Sequence, residues 1–347
     1  MNKTIRKSSL ILFVSLFIFL FICLPFASSK EDGQTITFIA VGDIMMGRHI
    51  GKVMKRRGDL YPFMNFTSPF KEADILFANL ESTLGDENDK IYFPDKPYNF
   101  IAPLTVSKTL KYLGFNVLSL ANNHAMDYGA DSIVRTGKEL AEKGISSFGA
   151  GRTLDEARRP SIITKKGVAF GFLGYSNGHS SGVYASGGKA GVVPTELKII
   201  KEDIMKLKGK VDLIVVSLHW GIEYEKYPTM KQRELAHMII DSGADMILGH
   251  HPHVMQGLEL YKGKIIAYSL GNFLFDQRHK GTDESFMLKL KYRGDKLDEI
   301  SLGPVDRFQS FYPRPATGEA RRKIMKGLRE ISAPLNPDPS ALQRLGL

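Results

Sequence analysis

Five apolar runs in this chain each end on a side chain able to bind a divalent metal. They are TITFIAVGD to Asp43, ADILFANLE to Glu81, FNVLSLANNH to His124, VDLIVVSLH to His219 and ADMILGHHPH to His253. Carboxylates, a carboxamide and imidazoles together make a mixed oxygen and nitrogen donor set suited to Mn, Zn, Fe or Mg. His251 and His253 are alternate residues, so an extended backbone offers both imidazoles to adjacent metal positions. Asn123 supplies a carboxamide oxygen. His124 beside it can act as an acid or stabilise developing charge, with Asp127 close enough to orient it. The chemistry such a set serves is hydrolysis: divalent ions acidify a water, and a histidine protonates the leaving group.

Each signal is modest alone. An acid after a strand, such as Asp43 or Glu81, is commonly a helix cap or turn residue. Asn122-Asn123 favours a turn, and a lone His219 after a strand is more often a satisfied core residue. Trp220, the single tryptophan, reads as packing. Recurrence at five strand ends is what points to one metal centre. Arg48, Asn79, Asn122, His250 and Asn272 are candidates to hold substrate or support the ligands. His237 reads as structural, and His179 and His279 lie in loops without an evident partner. Arg48, Lys52, Lys55, Arg56 and Arg57 form a basic run soon after Asp43, either a solvated helix face or a steering patch for an anion.

The elements that must position these groups follow from hydrophobic periodicity. Runs rich in Val, Ile, Leu and Phe predict buried strands near 36–42, 74–79, 115–120, 211–218, 245–248, 265–269 and 286–292. A hairpin is expected over 161–164 and 168–174, across Lys165-Lys166-Gly167. Helices are predicted near 47–57, 104–113, 130–143, 195–207 and 229–242. The alternation indicates an α/β fold, in which polar groups at the carboxyl ends of strands converge on one crevice. The segments 58–69, 82–103 and 178–191 read as loops, rich in Pro or in Gly and Ser.

With 347 residues, 43% of them hydrophobic, the chain has enough apolar content for a sizeable core. Lys3, Arg6 and Lys7 precede a charge-free apolar run from Leu10 to Phe26, and Ala27-Ser28-Ser29 follows. Residues 1–30 therefore read as a signal peptide or N-terminal membrane anchor. Cys23, the only cysteine, lies inside that run, so the exported part has no disulfide, which suits a bacterial surface or periplasm. Removing the +4 of residues 1–30 from the net +10 leaves +6 for residues 31–347. An exported basic protein points to an anionic polymer or a phosphorylated substrate rather than nucleic acid. Residues 31–305 are expected to form the main domain. Residues 306–347, with the basic helix-like stretch Gly318 to Ser332, are expected to be a C-terminal extension packing on or trailing it.

Taken together, VGDIMMGR (41–48), ANLEST (78–83), SLANNHAMDYG (119–129), GFLGYSNG (171–178), SLHWGIEY (217–224), GHHPHVMQG (249–257), YSLGNFLFDQ (268–277) and the tail PRPATGEARRK (313–323) resemble the bacterial CapA family of poly-γ-glutamate capsule synthesis proteins. That family is similar to the metallo-dependent phosphatase superfamily. The resemblance implies a metallophosphatase-like double β-sandwich flanked by helices, in α-β-β-α layers. It implies Asp43, Glu81, Asn123, His219, His251 and His253 as ligands of one or two divalent ions, with Glu81 bridging where the superfamily usually has Asp. His124 takes the place of the catalytic acid. The superfamily pattern begins Asp-x-His, whereas here Asp43 is followed by Ile44 and Met45; His49 is the next imidazole along. The implied role is capsule or exopolymer synthesis, export or attachment. The partners would be poly-γ-glutamate or a similar anionic polymer, and membrane capsule-synthesis components. Two alternatives are a non-catalytic polymer-binding scaffold and a surface metallophosphoesterase unrelated to capsule.

Overall fold

A computed structural model describes residues 34–93, 96–177, 181–307 and 311–347. The N-terminal segment read as a signal or anchor, Cys23 and His179 lie outside the described residues. The strand Thr35–Ile44 shows how the architecture arises. Ile36, Phe38 and Ala40 enter one apolar cluster, while Ile39 and Val41 enter another. Successive side chains of a strand point to opposite faces, so a strand apolar at every position must be covered on both. Ile75–Leu80 and Leu213–His219 divide in the same way.

In chain order, the strands of the two large sheets are β1 (Thr35–Ile44), β2 (Ile75–Leu80), β3 (Val117–Ser119), β4 (Ser146–Phe148), β5 (Ser161–Lys165), β6 (Val168–Ser176), β7 (Leu213–His219), β8 (Met246–His250), β9 (Leu258–Tyr261), β10 (Lys264–Ala267), β11 (Asn272–Leu274), β12 (Glu284–Arg293), β13 (Lys296–Asp306) and β14 (Arg314–Pro315). The longer helices are α1 (Arg48–Arg57), α2 (Val106–Leu113), α3 (Gly129–Glu142), α4 (Leu197–Leu207), α5 (Met230–Asp241) and α6 (Gly318–Ser332). The first sheet runs β14-β13-β12-β1-β2-β3-β4, with β11 also beside β1; the second runs β9-β10-β8-β7-β6-β5. β1, β2, β3 and β4 are mutually parallel, as are β6, β7, β8 and β10.

The sheets face each other across a core of aromatic rings. Phe77 of the first stacks on Phe172 of the second with centroids 6.4 Å apart, and Phe38 lies 6.2 Å from the same ring. Helices α1, α2 and α3 cover the outer face of the first sheet through Ile50, Met54, Leu110, Ile133 and Leu140. Ile200, Ile204, Ala236 and Ile239 bring α4 and α5 onto the second. The layers are therefore α-β-β-α, as the resemblance implied. Among the described residues, no helix is long and apolar enough to cross a membrane.

The tail enters the core. Ile324, Leu328 and Ile331 of α6, together with Leu345, join the cluster between the sheets. Ser332 Oγ accepts the Leu258 N–H at 2.9 Å, and Asn336 Oδ1 accepts that of Leu260 at 2.9 Å. These bonds satisfy the outer edge of β9, which would otherwise be open to strand addition. Sequence periodicity did not announce β9 or β13. The first half of β13 mixes charged and apolar residues because much of it faces solvent, and Pro304 interrupts the pattern in the buried half.

Candidate metal centre

Strand register assembles the centre in two rows. In the first sheet Asp43 pairs with Asn79 on one side and Asn272 on the other. In the second, His219 pairs with His250. β1, β2, β7 and β8 end, and β11 begins, at the same edge, so the rows meet where the two sheets approach. Asn79 Nδ2 lies 2.9 Å from Asp43 Oδ1, 3.4 Å from Glu81 Oε2 and 3.4 Å from His219 Nδ1, which ties both rows together. His250 Nδ1 is 2.9 Å from Asp43 Oδ1, and its ring packs 5.7 Å from that of Phe77. His250 thus turns toward the core and holds Asp43.

Two glycines permit this approach. A Cβ at Gly42 would sit 1.7 Å from the Gly271 carbonyl oxygen, and one at Gly249 would sit 1.9 Å from that of Tyr268. Both obstacles are backbone, so a side chain would force the strand ends apart. Gly42→Ala is expected to lower the melting temperature by several degrees, in line with overpacking costs of about 1–3 kcal/mol, and to reduce bound metal because Asp43 moves. Unchanged thermal unfolding and metal content in this variant would refute the tight-approach account.

Asn122 donates to Asn79 Oδ1 at 3.2 Å and to the Leu80 carbonyl at 2.9 Å, locking the turn after β3 onto β2. Its own Oδ1 accepts the His124 N–H at 3.1 Å. That turn presents Asn123 Oδ1 2.8 Å from His219 Nε2. It also sets His124 Nδ1 2.6 Å from Asp127 Oδ2. Asp127 further accepts the Phe100 N–H at 2.7 Å and Lys96 Nζ at 2.6 Å. Phe100 stacks on the His124 ring at 3.8 Å. His253 Nδ1 lies 2.9 Å from Asn272 Oδ1. The twelve residues Asp43, Asn79, Glu81, Asn122, Asn123, His124, Asp127, His219, His250, His251, His253 and Asn272 are each at most 6% exposed.

The backbone is strained here. Six described non-glycine residues have positive φ, and Arg48, Tyr224, His251 and His253 are four of them. Such conformations cost of order 1–3 kcal/mol each and gather at functional sites.

Donor geometry fits a divalent ion. Ligand atoms of Asp43, Glu81 and His219 lie within 4.8 Å of one another, and so do those of Glu223, His251 and His253. Glu81 Oε1 is buried and accepts no hydrogen bond among the described residues. It faces His253 Nε2 at 3.7 Å and His124 Nε2 at 3.9 Å. A carboxylate oxygen left this way is costly unless a cation meets it. Two clusters of this composition can hold one or two metal ions.

Electrostatics agree. Burial, then the nearby charges of Asp43 and Glu223, push the Glu81 carboxyl well above its ordinary range. Burial would raise Asp43 too, but the hydrogen bond and charge of His250, with His253 behind it, hold it below its usual value. Burial drives His219 well below its usual value, helped by the neighbouring histidines. It lowers His124 to about 4 despite Asp127. The signs yield a test. A raised Glu81 stabilises the metal-free fold below its ordinary value of 4.5, and that contribution is lost as pH climbs through its higher folded value. A bound cation replaces the proton and restores it. The rise in melting temperature on adding Mn or Zn is therefore expected to grow with pH; a rise that stays flat would remove Glu81 from the ligand set.

Sequence reasoning missed Glu223, Lys96 and Phe100. Glu223 stands four residues after His219, inside the quoted SLHWGIEY segment, and an acid just beyond a ligand strand was the available signal. Lys96 and Phe100 come from the Pro-rich loop after β2, where no periodicity marks them. Arg48 stays at the rim: Nε is 3.3 Å from Asp276 Oδ2, and the guanidinium lies 5.4 Å over Phe100. His49 does not replace the imidazole missing at Met45. It is exposed and stacks edge-on with Phe311 at 5.0 Å. Met45 is buried against Phe100 and Phe275, with its sulfur accepting the Gly47 N–H at 3.1 Å. His237 bonds Glu259 at 2.8 Å away from the centre, and Trp220 is core.

Residues 37–277 match the sequence profile described as bacterial capsule synthesis protein PGA_cap. The chain is 35% identical to the capsule biosynthesis protein CapA of Bacillus anthracis, over 83% of this chain and 71% of that protein. It is 35% identical to the PGA biosynthesis protein CapA of Bacillus subtilis (strain 168), over 80% of this chain and 72% of that one. Its fold is similar to the crystal structure of a hypothetical protein from Thermus thermophilus. That match has a TM-score of 0.51 and 14% identity, covering 81% of this chain and 100% of the other.

Proposed function

The chain belongs to the PGA_cap family of bacterial capsule synthesis proteins, and from that premise we propose that it is an extracytoplasmic, divalent-metal-dependent hydrolase acting in capsule or exopolymer synthesis, export or attachment. The observation that carries the reading is the buried Glu81 oxygen, without a hydrogen bond among the described residues, which belongs to one candidate metal cluster, faces His253 of the other and lies beside the His124–Asp127 pair. In this reading Asp43, Glu81, Asn123, His219, His251, His253 and Glu223 hold the metal. A divalent ion there supplies Lewis-acid activation of water and neutralises charge developing in the transition state. The N-terminal segment, charged and then apolar, supports a location outside the cytoplasm.

The protein's own groups divide the remaining work. Asp127 fixes the His124 ring and its Nδ1 proton, leaving Nε2 directed toward Glu81. Because burial keeps His124 neutral near pH 7, Nε2 is free to take a proton from an attacking water and return it to the leaving group. For an amide of an acidic polymer, water adds to the carbonyl carbon, the C–N bond breaks, and the amine departs with that proton. Phe100 covers the ring and keeps bulk water off it.

The test is incubation of residues 31–347, loaded with Mn or Zn, with γ-linked glutamate oligomers and, separately, with phosphodiesters. New amino groups appearing in the first sample support the reading. Cleavage of phosphodiesters alone moves the substrate to phosphorylated compounds, and no turnover in either sample from metal-loaded protein rejects hydrolysis. One observation favours a second reading, a polymer-binding scaffold. Apolar packing around Met45 offers no imidazole where the superfamily pattern has one, which suits a reduced metal complement.

A further inference from the structure

The loop after β11 forms one wall of the metal centre and also one wall of a separate cleft. Asn272, bonded to His253, donates through Nδ2 to Gln277 Oε1 at 2.9 Å. The Phe275 ring packs edge-on to His253 at 4.9 Å. Tyr224, next to the candidate ligand Glu223, stacks on His279 at 3.9 Å. Gln277 and His279 both line a cleft of ≈ 520 Å³ whose other charged walls are Lys226, Arg278, Lys280, Arg307, Lys323, Asp283 and Glu284. Five cations thus face two carboxylates.

That imbalance distinguishes this cleft from the basic run on α1. The neighbouring cleft there sets Arg48, Lys52 and Lys55 against Asp59, Asp86 and Glu87, so its charges cancel. In the cleft beside β11, Glu284 is already taken by Lys323 at 2.6 Å. Lys226 and Lys280 are exposed, and no ion pair engages either of them among the described residues. At its base lies Arg307, 1% exposed. Its two terminal nitrogens donate to the Phe275 and Thr282 carbonyls, while its Nε–H has no hydrogen-bond partner among the described residues. The charges of Asp283, Asp276 and Asp306 already act on this buried guanidinium, so Arg307 fixes the floor of the cleft while the exposed Lys226, Arg278 and Lys280 supply its unneutralised charge. The volume is that of a typical ligand site, able to take a stretch of chain rather than one carboxylate.

We propose that this cleft is a binding subsite for a flexible polycarboxylate, an acidic polyamide chain, whose adjoining residue is thereby presented to the metal centre. The proposal rests on the hydrolase reading only for what happens to the chain after it binds. Arg307 holds the floor of the cleft through the Phe275 and Thr282 carbonyls. Lys226, Arg278 and Lys280 neutralise carboxylates along the chain, and the shared loop carries it toward His253. Exposed lysines contribute little singly and act as a field, so binding is expected to weaken with salt.

The test is equilibrium binding of a fluorescent γ-linked glutamate oligomer to residues 31–347, with polyphosphate as the competing polyanion. The variant Lys226→Ala/Arg278→Ala/Lys280→Ala is expected to bind the oligomer on the order of 10- to 100-fold more weakly while keeping its full metal content. The variant Lys52→Ala/Lys55→Ala/Arg56→Ala is expected to bind as the parent does. Unchanged affinity in the first variant, or an equal loss in the second, would overturn the assignment, as would tighter binding of polyphosphate than of the oligomer. Absence of turnover together with oligomer binding that the first variant abolishes would reject the hydrolase and leave the subsite standing.

Discussion

Replacing both His251 and His253 by alanine in residues 31–347 is expected to abolish stable metal binding, while the parent retains one or two divalent ions through gel filtration. Each imidazole belongs to the same three-ligand cluster as Glu223, and His253 Nε2 also faces the unbonded Glu81 oxygen at 3.7 Å. Removing both leaves a lone carboxylate in that cluster and strips from Glu81 one of the two imidazoles that face it. The loss is expected to exceed the 10- to 100-fold drop typical of disturbing a group that only supports ligands. Elemental analysis per chain is the measurement. The parent's melting temperature should fall on chelation, and the variant's should not respond. Glu223→Gln is expected to lower occupancy by less, because two imidazoles of its cluster remain. A double variant that keeps full metal content would place the metal elsewhere. A parent that takes up no metal after reconstitution with Mn, Zn, Fe and Mg would shift the function to a scaffold.

The second large effect concerns turnover without metal loss. His124→Ala is expected to lower kcat by about 10²- to 10⁴-fold, the range for a positioned acid–base group, with metal content intact. The distances separate the two roles. His124 Nε2 is 3.9 Å from Glu81 Oε1 but belongs to neither ligand cluster, and its Nδ1 is committed to Asp127 at 2.6 Å. Asp127→Asn should also reduce kcat. It should destabilise the fold as well, because the Asp127 carboxylate accepts the Phe100 N–H and anchors Lys96. Removing a partner from a buried network of this kind leaves charge and donors unsatisfied. Full capsule function in cells carrying His124→Ala would exclude a catalytic role for this histidine.

Most of the candidate donors, Glu223 excepted, were legible because each follows a run whose composition marks it as a buried strand. Val117-Leu118-Ser119 leading to Asn122-Asn123-His124 is a local pattern, and so is Met246-Ile247-Leu248 leading to His250-His251-Pro252-His253. A parallel strand buried on both faces has few places for a polar side chain except its carboxyl end. The expectation that Asp43, Glu81, His124, His219 and His253 converge followed from that alone. The hairpin across Lys165-Lys166-Gly167 was equally local, since turn chemistry and alternation are read over a few residues.

What the sequence by itself determined, then, was the set of strand ends and the donor types they carry. Tertiary structure decided which ends touch. Asp43 and His250 are far apart in the chain and belong to different sheets; their 2.9 Å contact exists because Gly42 and Gly249 let backbones close and the Phe77–Phe172 stack sets how the sheets face. It also turned His250 toward the core and brought in Glu223, Lys96 and Phe100 from loops. It filled the Met45 position with Phe100 and Phe275, and drew α6 into the space between the sheets. The physical reason is range. Strand and helix patterns are written by neighbours a few residues apart, whereas the register between two sheets and the path of a loop are fixed by packing among side chains that the sequence keeps far from one another.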